Sequence, residues 1–176
     1  MNEYGLDIPG YKDFFMLPWR VTIDNRVRWL QYRINHFILP TNKYLYRIGI
    51  IQSPNCLRCK SEIETLNHIF INCPGVISFW NDLRARWSAV FDTITNFEKM
   101  FGILNQHNDE EWMLKNQILL VARRYIYISR HKGSPLSIDV FDLLLRDTAR
   151  IEETLARQKG NLGFHYMKWE KTGIYT

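Results

Sequence analysis

All three cysteines of this 176-residue chain, Cys56, Cys59 and Cys73, fall inside eighteen residues. With His68 they spell C-x2-C-x8-H-x4-C, and nothing else in the sequence restricts the fold as much. An odd count in a chain without an export signal is a poor basis for disulfides. The same set suits zinc, which takes sulfur and imidazole nitrogen in a tetrahedron without a geometric preference of its own. Two cysteines separated by two residues fit one tight turn, and Pro54 restricts the chain entering it. His68 and Cys73 are five apart and would diverge by roughly 140° on an ideal helix. They converge only if the helix ends before Cys73, and Pro74 disfavours helical angles at that residue. The alternative is three buried free thiols beside a capping histidine. If zinc is bound, four protein donors leave no position for water or substrate, so one structural Zn2+ is expected. Three thiolates on a dication leave one net negative charge, which Arg58 and Lys60 are placed to offset.

The rest of the chain reads as helix. Asp24 can cap a helix to about Leu39 that turns Val27, Leu30, Ile34, Phe37 and Ile38 inward, with Pro40 as its stop. Thr41 can cap a short helix closed by Gly49, and a helix near Thr65 carries His68. Val76, Trp80, Leu83, Trp87 and Val90 form an apolar seam after Pro74. A short helical turn follows at Asn96-Phe97. Asn108 or Asp109 starts a helix to about His131 that is apolar on several sides and therefore central. Ser137 caps the last long helix, with Phe141, Leu144, Thr148, Ile151 and Leu155 inward and its end at Gly160. The expected fold class is all-α, a helical domain organised around one Cys3His zinc knuckle. Its divisions are an irregular segment 1–18, broken by Pro9, Gly10 and Pro18, a single helical domain 19–160 with the knuckle at 53–74, and an aromatic tail 161–176. A chain 46% hydrophobic with only 9 glycines and 6 prolines has material for a core and is not of disordered composition. Its apolar runs fall far short of the ~18–20 residues of a membrane span. The start Met1-Asn2-Glu3-Tyr4-Gly5 has no basic or apolar signal region. A soluble intracellular protein is expected, with no membrane partner.

Charge is uneven. The net +5 of the chain equals the excess between positions 20 and 47, where Arg20, Arg26, Arg28, Arg33, Lys43 and Arg47 face Asp24 alone. Trp29, Tyr32, His36, Tyr44 and Tyr46 share that stretch. One reading is a nucleic-acid surface, and the other is a solvated helix face with its aromatics turned inward. On the first reading Arg28, Arg33, Lys43 and Arg47 contact phosphates, helped by Arg58 and Lys60 on the knuckle. Arg123 and Arg130, seven apart on one helical face, extend the strip. Tyr32 or Tyr46 stacks on an unpaired base or is partly buried, and Trp80 and Trp87 belong to the core.

The pieces Phe37, Leu39-Pro40-Thr41-Asn42, Gly49-Ile50, Ser53-Pro54-Asn55-Cys56 and Cys59 are followed by Glu64-Thr65-Leu66-Asn67-His68-Ile69-Phe70, Cys73-Pro74 and Phe79-Trp80. In this order they resemble the reverse-transcriptase zinc-binding domain near the C-terminus of LINE-type (non-LTR) retrotransposon polyproteins. The likeness is strong over about 14–90 and weaker, through Phe101-Gly102 and 122–127, to about 155. It implies a segment that follows the polymerase and helps to hold template RNA or target DNA, in the nucleus or in a cytoplasmic ribonucleoprotein. Its partners would be RNA and/or DNA and a reverse-transcriptase core. The chain has no Asp-Asp pair for a polymerase and nothing resembling an endonuclease, so no catalytic residue and no small-molecule substrate are expected. A module that docks on the polymerase through the apolar seams and the tail is the rival reading. The other histidines, His36, His107, His131 and His165, read as surface or capping residues, and Glu153 with Arg157 as a helix-surface ion pair.

Overall fold

A computed structural model describes residues 11–104, 109–132 and 135–173. Eight α-helices account for most of them: α1 (Tyr11–Val21), α2 (Asn25–Asn35), α3 (Asn42–Arg47), α4 (Pro74–Arg86), α5 (Asn96–Phe101), α6 (Glu110–Ser129), α7 (Ile138–Gln158) and α8 (Leu162–Trp169). A π-helical turn, His68–Asn72, precedes α4. Among the described residues the β-structure is a single antiparallel bridge, Asn55 to Ile63. No helix among them is long and apolar enough to cross a membrane.

Helix α6 is the axis. Leu114, Ile118, Leu119, Leu120, Ala122 and Ile126 are all buried, so it is covered on several sides. Helices α1, α2, α5, α7, α8 and the π turn pack on it. The α4 seam, Val76, Trp80, Leu83, Trp87 and Val90, is buried as its spacing predicts. Phe79 of α4 meets Tyr125 of α6 and Phe141 of α7 edge-on at 5.6 and 5.5 Å, which ties the three helices at one point.

Caps follow the sequence closely. Asp24, Thr41, Asp109 and Ser137 each accept a backbone N–H in the first turn of their helices. Thr95 and Glu98 form a reciprocal capping box on α5. Gly49 and Gly160 close α3 and α7 with positive φ, each followed by a backbone bond reaching five residues back.

Four expectations fail in instructive ways. Residues 11–18 are helical, not irregular. Phe14, Leu17 and Val21 are buried at helical spacing, and that face outweighs Pro18 inside the helix. Pro18 has no N–H for the Phe14 carbonyl, and the Asn35 side chain donates to that carbonyl instead at 3.5 Å. Helix α2 stops at Asn35, because Phe37 takes the left-handed conformation (φ 55) usual for glycine. Phe37 N–H then bonds Ile34 C=O and Ile38 N–H bonds Arg33 C=O, which closes the helix and leaves Phe37 and Ile38 exposed. On α7 the buried line is Phe141, Leu145 and Ala149, and Ile151 is 57% exposed. That helix is rotated from the expected register because Glu152 faces α8, where it accepts from Lys168 Nζ (2.8 Å) and Trp169 Nε1 (3.1 Å). The aromatic tail is therefore helix α8, with Trp169 in the core and His165 buried rather than on the surface. His107 and Asn108 lie outside the described residues. The Glu153–Arg157 surface pair forms at 3.0 Å.

Candidate metal centre

Residues 53–74 build the centre from two short devices. In the first, Cys56 and Cys59 sit in a turn between the two bridged residues Asn55 and Ile63. Cys56 N–H donates to Glu62 C=O (2.8 Å) and Lys60 N–H to Cys56 C=O (2.9 Å). Lys60 takes a left-handed conformation (φ 61) that turns the chain back. The Asn55 side chain clips the loop shut on Lys60 C=O at 3.2 Å.

The second device corrects the sequence reading of His68 and Cys73. The helix does not simply break at Pro74. It widens into a π turn in which Cys73 N–H donates to His68 C=O at 3.0 Å. An i→i+5 turn brings residues five apart back toward one side, which an α-helix cannot do. Cys73 itself is extended (φ −62, ψ 130) and serves as N-cap of α4, with Pro74 as its first residue. Thr65 Oγ1 accepts from His68 N–H at 3.1 Å, and Trp80 Nε1 donates to Phe70 C=O at 2.8 Å, so the start and the middle of the turn are fixed.

These devices bring together Cys56, Cys59, His68 and Cys73, whose donor atoms all lie within 4.8 Å of one another. Cys59 Sγ is 3.3 Å from His68 Nε2. A zinc tetrahedron with bonds of about 2.0–2.3 Å has edges of about 3.3–3.8 Å, so the Cys59–His68 pair already stands at an edge length and the other donors lie within about 1 Å of one. Its electrostatics also suit a cation. Burial pushes the Cys73 thiol up and the charges of Cys56 and Cys59 push it further, to about 11. Burial acts on Cys59 in the same direction. There the Ser61 side chain, the Glu62 and Ser61 amides and His68 outweigh it by hydrogen bonding and bring the thiol down to about 6. One thiolate is thus prepared, and the repulsion that opposes the last is relieved by a dication. The residues fit one structural zinc, and the donor set is closed.

Around this set runs a second layer. Arg58 N–H donates to Cys56 Sγ at 3.4 Å, and its guanidinium bonds Ile126 C=O of α6 at 3.0 Å. Burial lowers the pKa of Arg58, while the Cys73 and Cys56 charges oppose that fall. Gly75 makes room for its stem, since a Cβ there would meet Arg58 Cδ at 3.1 Å. Glu64, outside the donor set, has a structural task. Its carboxylate accepts the Asn42 N–H at 2.9 Å and Arg130 at 3.3 Å, and so joins α3, the knuckle and the C-terminal end of α6.

Replacing Pro74 with alanine frees Cys73 to adopt helical angles. We expect faster loss of zinc to a competing chelator with all four ligands present. Retention equal to the parent would mean that the π turn alone holds Cys73 in place.

The basic residues divide. Arg33, Lys43, Arg47 and Lys60 are exposed. Arg28 is half-buried and pinned, with Nε on Thr22 C=O at 2.6 Å. Arg58 is half-buried against the metal centre. Arg123 and Arg130 do not extend a surface strip. Arg123 is 1% exposed and donates to the Glu98 and Lys99 carbonyls of α5, and Arg130 is buried on Glu64. The seven-residue spacing does not make a strip, because Arg123 turns to α5 while Arg130, just past the end of α6, turns to Glu64 and Pro40.

Comparison with known proteins agrees with this geometry. Residues 10–80 match a family described as zinc-binding in reverse transcriptase. An Arabidopsis thaliana protein with a provisional ribonuclease H name is 25% identical over 72 residues. That match covers 41% of this chain and 12% of the relative, so the chain spans a small fraction of that protein. No solved structure matches. The family is an accessory zinc-binding one, not a catalytic one. Residues 10–80, which hold all four donors and the π turn between His68 and Cys73, are thus similar to the family described as zinc-binding in reverse transcriptase.

Proposed function

We propose that this chain is a nucleic-acid-binding accessory of a LINE-type reverse transcriptase that helps to hold template RNA or target DNA. Zinc keeps the fold, and the reaction belongs to the polymerase. The observation that carries this reading is that Arg33, Lys43, Arg47 and Lys60 stay exposed on the zinc-binding half, with no acidic partner among the described residues. Lys43 lines a hollow of about 420 Å³ with Phe37, Tyr44 and Asn67, where a charged group lies beside aromatic surface. The ribonuclease H name of the plant relative refers to an enzyme of RNA, which fits such a setting. The protein would then work in the nucleus or in a cytoplasmic ribonucleoprotein.

The test is a salt titration. Each phosphate neutralised contributes about 0.7 to the slope on single strands and about 0.9 on duplex. Four engaged side chains give a slope of log affinity against log salt of roughly −3 to −4. Changing Arg33, Lys43, Arg47 and Lys60 to glutamine flattens that slope and leaves zinc content unchanged. Changing Arg146, Arg150 and Arg157 does much less, since Arg150 and Arg157 already face Asp147 and Glu153. Equal losses in the two variants, or a parent that binds neither nucleic acid at low salt, would remove this reading. The docking module would then take its place. Exposed Leu143 and Ile151 on α7 and Met167 on α8 offer apolar surface for it.

A further inference from the structure

Helices α2 and α6 pack against each other and leave between them a hollow of about 520 Å³. Its α2 wall carries Arg26, Trp29 and Arg33 among others, and its α6 wall Arg124 and Tyr127. Trp29 is 58% exposed, the most of any tryptophan among the described residues. Its ring is not adrift. It stands edge-on to Tyr32 at 5.5 Å, which leans on His36 at 4.3 Å, which leans on Phe15 at 4.8 Å. Tyr127 is fixed from behind by the Arg130 guanidinium, 4.4 Å from its ring centre.

The hollow gathers three guanidinium groups, Arg26, Arg33 and Arg124. Most arginines of the chain are engaged: Arg20, Arg26, Arg86, Arg130, Arg150 and Arg157 by carboxylates, and others by carbonyls. The guanidinium groups of Arg33 and Arg124 have no hydrogen bond or ion pair among the described residues. Burial lowers the pKa of Arg124, and the charge of Arg26 lowers it further, while Asp24 opposes. A cation that is half-buried beside another cation gains when an anion arrives.

We propose that the hollow between α2 and α6 seats one unpaired nucleotide of a single strand, its base stacked on Trp29 and its phosphates on Arg33 and Arg124. This rests on the nucleic-acid reading above and adds a strand preference to it. Every base has a face to stack, so the seat tolerates any sequence. In a duplex both faces of an interior base are already taken by its neighbours, and only the arginines remain useful. Sequence reading passed over this seat. Arg124 lies ninety-one residues after Arg33, and Trp29 carried no motif.

The experiment uses fluorescence anisotropy with labelled oligouridine, oligothymidine and a DNA duplex of equal length, at low salt, on the full chain. Trp29→Ala is expected to lose about tenfold in affinity for both single strands, the scale of one base–aromatic stack, and little for the duplex. Trp29→Phe should recover most of the loss. Arg33→Gln with Arg124→Gln should reduce the single-strand salt slope by about 1.4. An acidic, tyrosine-containing peptide is the control ligand. If the parent binds single strands but Trp29→Ala binds them equally well, the seat is wrong and the basic surface stands. A parent that prefers the peptide, or binds no nucleic acid, overturns both. Should Trp29→Ala lower the melting temperature, the double arginine variant decides: an unchanged slope rejects the seat.

Discussion

Cys59→Ser is expected to abolish zinc retention and to lower the melting temperature by about 6–12 °C, corresponding to about 3 kcal/mol or more in a chain of this size. Structural zinc contributes roughly 10–16 kcal/mol in small finger peptides, where there is little else to fold. Here the loss is smaller, since α6 and α7 carry their own buried faces. The effect is local in kind. Without the metal, Cys56, Cys59 and Cys73 repel one another when ionised, and both the turn at 55–63 and the π turn lose their common centre. Hydrogen exchange should therefore rise across residues 50–90 while the middle of α6 stays protected. Chelator should lower the melting point of the parent to that of the variant and leave the variant unmoved. A parent whose melting temperature ignores chelator would show that the thiols are simply packed.

Glu64→Ala is expected to cost about 3–5 kcal/mol, the usual penalty for leaving one member of a buried ion pair behind. The carboxylate is fully buried and joins Arg130 on α6 to the first N–H of α3. Removing it strands both groups, because among the described residues Arg130 keeps hydrogen bonds to the Pro40 carbonyl and His131 alone. Zinc content should stay at one per chain, since Glu64 is not a ligand. Arg130→Met in the same background should cost less than it does alone, because the stranded charge has gone. Denaturant titration of the two single variants and the double variant measures this. Strict additivity would mean that the pair does not act as a unit.

How far the sequence could be read depended on the range of the interactions. The ligands, the α4 seam, the caps at Asp24, Thr41 and Ser137 and the central place of α6 are set by residues a turn or two apart. All were readable. The failures came where a distant partner decided. Pro18 looks like a helix breaker until Asn35 satisfies the carbonyl it frees. Arg123 and Arg130 look like surface charges until α5 and Glu64 cover them. Ile151 looks like core until Glu152 turns α7 toward Lys168 and Trp169. The metal site shows both sides at once. Its ligands were legible from spacing, and so was the need for a departure from the α-helix between His68 and Cys73. The form of that departure, a π turn running into a proline-led helix, was not, because it depends on where Trp80 anchors Phe70.

Three sulfurs and one nitrogen form a closed donor set for a single zinc. X-ray absorption at the zinc edge, on protein purified without added metal and assayed for zinc content, tests it most directly. One zinc per chain is expected, with three sulfur neighbours at about 2.3 Å, one nitrogen at about 2.0 Å and no oxygen. Protein free of zinc, or a zinc with a water oxygen in its first shell, would contradict it.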